Sequence, residues 1–207
     1  MSNNNIMKNN NFKLTNFSFN KILNSNVIFG FLIYLMSDCI LFSVFFSVYF
    51  VISYNYDSRI FKNDIINIYY VFLETSFLLF SSCTYSISMI FLKYKKNFYF
   101  YIFIMLTFLL GFLFIIMELN ELINLSKMVF FISKNGFYSS FFSLLTLHAC
   151  HIFFGLLWII FMIIKFSFNS LSNNVYVQFF CLGLFWHFLD IVWMFIFNFI
   201  YLYGFIK

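Results

Sequence analysis

The stretch that decides the fold is Trp186-His187-Phe188-Leu189-Asp190-Ile191-Val192-Trp193, inside an apolar run from about Gln178 to Tyr203. That run is long enough to cross a bilayer, whose hydrocarbon core takes roughly 20 residues of helix. His187 and Asp190 stand three apart, so a helix puts them on one face. An ionised group at mid-membrane costs roughly 3 kcal/mol on insertion scales. The pair is therefore expected to face protein, sharing a hydrogen-bond network with itself or with neighbouring spans. Trp186 and Trp193 fall on nearly one face as well and read as a packing stripe, against the preceding span or a partner subunit.

Working outward, the whole chain has the same character. Of its 207 residues 63% are hydrophobic and 9% charged, where a soluble domain carries about 25% charge. Mean hydropathy is +0.92. There are too few charges to clothe a water-facing surface, so the class is an integral membrane protein. The 38 Phe residues, with abundant Asn, Ile and Tyr, look like nucleotide-composition drift, and many Phe read as generic packing or lipid-facing residues. Pro is absent, which excludes proline kinks. Net charge is +5, but the basic residues sit in short clusters beside apolar runs, which is the pattern of topology determinants and not of a nucleic-acid surface.

Five spans are predicted, at about 27–52, 68–92, 98–119, 137–164 and 178–203, after an Asn-rich stretch, residues 1–26, that reads as a disordered cytoplasmic tail. Ser43 and Ser47 in the first span suggest a small-residue helix contact. Ser81, Ser82, Thr84, Ser86 and Ser88 make the middle of the second span rich in hydroxyls, which argues for packing against another helix. Lys93, Lys95 and Lys96 mark a short turn into the third span, so these two form an antiparallel hairpin. Asn120 to Gly136 reads as a loop, with Leu122 to Ile132 as a short interfacial helix within it. Lys165 to Val177 is a Ser/Asn-rich turn, and Tyr201 and Tyr203 fall where an interfacial aromatic belt is expected.

An odd span count puts the termini on opposite sides. Lys8, Lys13, Lys21, Lys93, Lys95, Lys96 and Lys165 share one side with no acid. The other side mixes Arg59, Lys62, Lys127, Lys134 and Lys207 with Asp57, Asp64 and Glu121. The positive-inside rule makes the first side cytoplasmic, so the C-terminus is periplasmic.

The candidate functional residues are the ionisable groups inside the spans: Asp38, Glu74, Glu118, His148, His151, His187 and Asp190. Asp38 reads as a structural acid, a proton carrier or an acceptor for a histidine. His148-Ala149-Cys150-His151 puts two imidazoles on one helix face, but metal sites need a larger ligand set, and imidazoles bonded to acids or lipid head groups fit better. Cys39, Cys83, Cys150 and Cys181 form no Cys-x-x-Cys pair and read as small core or lipid-facing residues. No phosphate loop, nucleophile elbow or dinucleotide fingerprint is present. Three readings follow: a non-catalytic scaffold in a larger complex, a small proton-coupled transporter or channel resting on Asp38 and the His148/His151 pair, and a membrane metalloenzyme. The missing internal repeat and the odd span count oppose the second, and the small ligand set opposes the third.

Several strings, in this order, resemble subunit III of the haem-copper respiratory oxidases, in its five-span quinol oxidase form. They are Gly30-Phe31-Leu32-Ile33-Tyr34-Leu35-Met36-Ser37-Asp38-Cys39-Ile40-Leu41-Phe42, Glu74-Thr75-Ser76-Phe77-Leu78-Leu79-Phe80-Ser81-Ser82, Met117-Glu118-Leu119-Asn120-Glu121, the His148/His151 pair, and Trp186 to Trp193. The resemblance covers about Ile28 to Gly204. It implies an all-α, five-helix membrane bundle with no catalytic centre, haem or copper of its own, belonging to an oxidoreductase complex in the bacterial inner membrane. Haem and copper are expected in a partner subunit I, with subunits II and IV completing the complex. Ubiquinol oxidation, oxygen reduction to water and proton pumping would belong to that complex. The implied role here is assembly and turnover stability, with bound phospholipid in a V of splayed helices and an oxygen route beside subunit I. Asp38 stands where the cytochrome c oxidase branch usually has Glu, and Ala149 where Gly is common.

Overall fold

The computed structural model describes the backbone of residues 2–54, 68–131, 136–168 and 173–202, and the side chains of 26–53, 69–126, 136–168 and 175–201. The described chain is helical throughout: α1 (Ser2–Tyr54), α2 (Ile68–Lys93), α3 (Asn97–Phe131), α4 (Gly136–Phe168) and α5 (Asn173–Ile196), the last continuing into a π-helical segment, Phe197–Leu202. Five stretches within these helices are long and apolar enough to span a bilayer: Asn26–Ser53, Tyr69–Lys93, Asn97–Ser126, Gly136–Phe168 and Val175–Tyr201.

Three boundaries differ from expectation, for one reason. The Asn-rich residues 2–26, expected as a disordered tail, continue the helix of the first span. α3 runs on to Phe131, so the stretch read as a loop or separate interfacial helix after Asn120 is helical and continuous with the span. α4 and α5 likewise extend into the predicted Ser/Asn turn. Between Met1 and Asn26, and again between Phe112 and Phe131, there is neither Gly nor Pro, so nothing local breaks the helix. At 1.5 Å per residue α3 is about 52 Å long. That exceeds a hydrocarbon core of about 30 Å, so it tilts or projects beyond it.

The α2–α3 hairpin closes at Lys93–Lys96. Lys95 has a φ of 57°. Its N–H donates to Leu92 O at 3.1 Å and that of Lys96 to Phe91 O at 3.1 Å, which is the paired closure of a helix C-terminus through one left-handed residue. The Lys93–Lys96 turn defines one end of the bundle, here the lysine end.

α2 packs chiefly on α3, α3 on α4, and α5 against α2 and α4, while α1 packs on α4 and α5. α5 is the innermost span and α1 the outermost: 61% of the α5 window is buried against 17% of the α1 window. Lipid tails are as apolar as Leu, so close contact has to come from small residues and hydrogen bonds. Both occur around Trp186. Its indole lies between Gly111 of α3 and Gly155 of α4, where an added Cβ would stand 2.9 Å and 3.0 Å from the ring. Its Nε1 donates to Ser81 Oγ of α2 at 3.0 Å. Tyr85 packs the same way against Gly183, and its hydroxyl donates to Phe179 O at 2.7 Å. The expected Trp stripe therefore faces α2, α3 and α4 within the chain. Phe divides into two populations: Phe100, Phe114, Phe141 and Phe179 are enclosed, whereas Phe29, Phe72, Phe80 and Phe154 point outward.

Candidate functional site

The hydroxyl-rich centre of α2 is the first part of the polar interior. Ser81, Ser82 and Ser88 are buried. Ser81 accepts from Trp186, Thr84 pairs with Thr107 of α3 at 2.9 Å, and Ser86 pairs with His187 Nε2 of α5 at 3.1 Å. Most of these hydroxyls also bond a carbonyl three or four residues back in their own helix. This is how Ser and Thr are tolerated inside membrane helices. The packing expected of this segment is present. Nearer the lysine end, Lys165 Nζ donates to Gln178 Oε1 at 2.7 Å and ties α4 to α5.

His187 and Asp190 do share a face of α5. Their closest approach, Nδ1 to Oδ2, is 4.0 Å, beyond hydrogen-bond range. Each reaches α2 instead: His187 through Ser86 and Asp190 through the approach of Ser82. One Asp190 oxygen, Oδ1, has no partner.

His148 and His151 behave differently from the expected pair bonded to acids or head groups. His151 Nδ1 meets the Leu147 carbonyl at 2.8 Å, one turn back in its own helix. His148 is fully enclosed by rings. It stacks on Trp193 at 5.2 Å, meets the edge of Phe114 at 6.0 Å and lies 6.4 Å from Phe42. Neither of its ring nitrogens has a hydrogen-bond partner.

The acids fall in two places. Asp38 is buried on α1, near Tyr34 on the same face, with Oδ2 unpartnered. Glu74 of α2 and Glu118 of α3 are fully buried, and neither carboxyl has a hydrogen-bond partner. They lie within electrostatic reach of each other, of Glu121 and of Tyr201. Tyr201 donates to Glu121 Oε1 at 2.6 Å. Sequence reasoning missed this last bond. It had assigned Tyr201 to an interfacial belt, whereas the π-helical end of α5 turns Tyr201 inward, where it is buried; Tyr203 lies outside the described residues. Among the described residues no group of three or more His, Cys, Asp or Glu is placed to hold a metal ion. The four cysteines are free; Cys39, Cys83 and Cys150 are exposed and Cys181 is buried.

Two grooves run along α5. The larger, about 550 Å³, lies between α1 and α5 and is lined by residues such as Phe42, Phe46, Phe188 and Phe195. Ser43 and Ser47, expected to contact a helix, line this groove and bond carbonyls of their own helix at 2.7 Å. The smaller, about 290 Å³, lies between α2 and α5, with Ser86 and His187 in its wall and Lys93 at one end.

Comparison with known proteins places this interior. Residues 5–205 match the family model for cytochrome c oxidase subunit III. The chain belongs to that family. Subunit 3 of the cytochrome bo(3) ubiquinol oxidase of Buchnera aphidicola subsp. Baizongia pistaciae is 44% identical over 87% of this chain and 93% of its own length. The protein of the same designation from Pseudomonas aeruginosa is 40% identical over 86% of each chain. The cytochrome c oxidase subunit 3 of Alkalihalophilus pseudofirmus is 34% identical over 86% of this chain and 87% of its own. A five-span, all-helical subunit III is thus the architecture in which Asp38, Glu74, Glu118, His148, His151, His187 and Asp190 are held.

Proposed function

We propose that the chain is the non-catalytic subunit III of a proton-pumping ubiquinol oxidase of the cytochrome bo3 type. The observation that carries this reading is the near full-length similarity, at 40–44% identity, to subunits named for that oxidase, with a cytochrome c oxidase relative at 34%. In this reading subunits I, II and IV surround it in the bacterial inner membrane, and haem and copper reside in subunit I. The lysine end faces the cytoplasm, which makes the N-terminus cytoplasmic and the C-terminus periplasmic. The seven ionisable residues within the spans brace helices and take no part in electron transfer. Phospholipid chains fill the apolar groove between α1 and α5, and that lipid-filled groove borders a route for oxygen toward subunit I. Both the protein's packing and the turnover stability of the complex depend on it.

A proton-coupled transporter would need its acids to reach water. That alternative rests on Asp38 and the His148/His151 pair, and His148 is enclosed by rings with neither nitrogen partnered, which weighs against it.

The test is gentle solubilisation of tagged protein, a census of its companions and an optical spectrum. A haem-bearing complex is expected, and stripping the other subunits should remove the haem bands. A chain that purifies alone from aerobically grown cells, or that keeps haem after stripping, would overturn the reading.

A further inference from the structure

Helix packing does not account for two acids of the interior. Glu74 of α2 and Glu118 of α3 are both 0% exposed, and all four of their carboxyl oxygens lack a hydrogen-bond partner. The two side chains lie within electrostatic reach of each other. Glu121 of α3, Cys150 of α4 and Tyr201 at the end of α5 share that neighbourhood, and none of them is a cation. His148 of α4 has both ring nitrogens bare, so it bonds neither acid. Lys93, on the helix of Glu74, is about 28 Å of rise away. Among the described residues no Lys, Arg or His forms a hydrogen bond with either carboxyl.

An ionised carboxylate in such a place would lose its hydration and gain no counter-charge, a cost on the order of tens of kcal/mol in a dry apolar medium. Two of them near each other would also repel. A carboxyl that keeps its proton avoids both losses. It still carries an O–H donor and free acceptor lone pairs, and burying these unbonded costs roughly 2–7 kcal/mol. The hydroxyls of α2 meet that need with carbonyls of their own helix; the two glutamates do not. Buried water is the usual partner of such groups, each molecule making about three hydrogen bonds. α3 also supplies an outlet. Glu121 stands one turn beyond Glu118 on the same face, about 4.5 Å of rise away. It is half-buried and accepts from the Tyr201 hydroxyl at 2.6 Å.

We propose that Glu74 and Glu118 form a proton-holding site inside the bundle, in which each carboxyl keeps its proton and hydrogen-bonds enclosed water, while Glu121 with Tyr201 links the pair to the aqueous phase at the end opposite the lysine turn. The ligand is water together with the protons it exchanges. The site stores protons and does not carry them across the bilayer. On the lysine side the Trp186 indole, seated between Gly111 of α3 and Gly155 of α4, fills the interior.

The experiment is infrared difference spectroscopy of the full chain in its complex at pH 7, as H2O is replaced by D2O. Carbonyl bands of protonated carboxyls are expected, and they should shift slowly in D2O. Glu74→Gln and Glu118→Gln should each remove one such band and leave the complex assembled, because an amide matches a neutral carboxyl in size and charge. Glu121→Leu should keep both bands and slow their exchange about tenfold, a barrier increase of about 1.4 kcal/mol. Should the glutamine variants fail to assemble, Glu74→Asp and Glu118→Asp replace them, and each should move one band without removing it. The proposal falls if either glutamine variant removes no band, or either aspartate variant moves none, since that acid would then be ionised. It falls equally if the bands never exchange in D2O, which would mean that no water reaches the pair. An exchange rate unchanged by Glu121→Leu would also overturn it.

Discussion

Replacing Gly111 by Ala should destabilise the bundle out of proportion to one methyl group. The added Cβ would stand 2.9 Å from Trp186 Cζ2, 3.0 Å from Cη2 and 3.1 Å from Leu156 Cδ2. The indole cannot retreat, because Gly155 of α4 is against its other side, 3.0 Å from ring to built Cβ. Any tilt of the ring also lengthens the 3.0 Å bond from Nε1 to Ser81. Overpacking of this kind costs about 1–3 kcal/mol, and an interhelical hydrogen bond in a membrane adds about 0.6 kcal/mol. A loss of about 2–3 kcal/mol is therefore expected in reversible unfolding of the complex-bound or detergent-held chain. The double variant Gly111→Ala/Trp186→Phe supplies the control: the smaller ring makes room, so its loss should be less than the sum of the two single losses. Strict additivity in that cycle, or a Gly111→Ala protein as stable as the parent, would refute the claim that Trp186 is wedged between two glycines.

Other expectations follow from single contacts. Tyr201→Phe removes the 2.6 Å bond to Glu121 and should cost about 1 kcal/mol in the same unfolding assay, since a half-buried carboxyl loses its donor; an unchanged unfolding curve would show that bond to be idle. Lys95→Gly relieves a left-handed residue and should gain about 1 kcal/mol, unless the turn is held by contacts to another subunit, in which case the isolated and assembled proteins will differ. Asp38→Ala should leave initial quinol oxidation measurable while activity decays faster during sustained turnover, or while the subunit is retained less well. Immediate and complete loss of electron transfer in a fully assembled complex would contradict a bracing role.

The spans were legible because their signal is additive: every apolar residue between Asn26 and Tyr201 contributes to it, and the polar interruptions are few. Helix ends were less legible. The Asn-rich start and the Met117–Glu121 string look like boundaries by polarity, but a helix ends where a backbone cap or a Gly or Pro ends it, and neither stretch has one. Of the site residues, Glu74 and Glu118 were identified as acids in spans, yet their closeness across α2 and α3 depends on rotation of one helix against another, which no local pattern records. The Trp186–Ser81 bond was half visible: the hydroxyl-rich segment was recognised as a packing face without its partner. Gly111, Gly155 and Gly183 passed unnoticed as seats for rings. Counting small residues at positions facing a predicted Trp or Tyr is the signal that could have found them.

Partnered and unpartnered polar groups are unevenly spread through the interior, and Asp190 Oδ1 and Asp38 Oδ2 are among the bare ones. Measured as helix rise, Lys165 and Gln178 are close to the lysine end, Thr84 about 13 Å and Ser81 about 18 Å from Lys93, and all are bonded across helices. At about 28 Å from Lys93 stands Glu74, and at about 31 Å from Asn97 stands Glu118. Both are bare of partners, as are the nitrogens of His148 and Nε1 of Trp193, whose rings stack on each other. Beyond this band Glu121 is bonded again, by Tyr201. A helix pair can be stitched by serine and threonine at any depth, so the bare band is not a consequence of membrane burial as such. It coincides instead with the Met117–Glu121 string of α3 and the Glu74 string of α2, two of the strings that carry the family resemblance. Bare buried carboxyls lower stability, and the bundle nonetheless keeps both fully buried. Packing alone does not call for acids at those positions, since Leu or Phe, of which this chain has no shortage, would fill them without buried, unpartnered carboxyls.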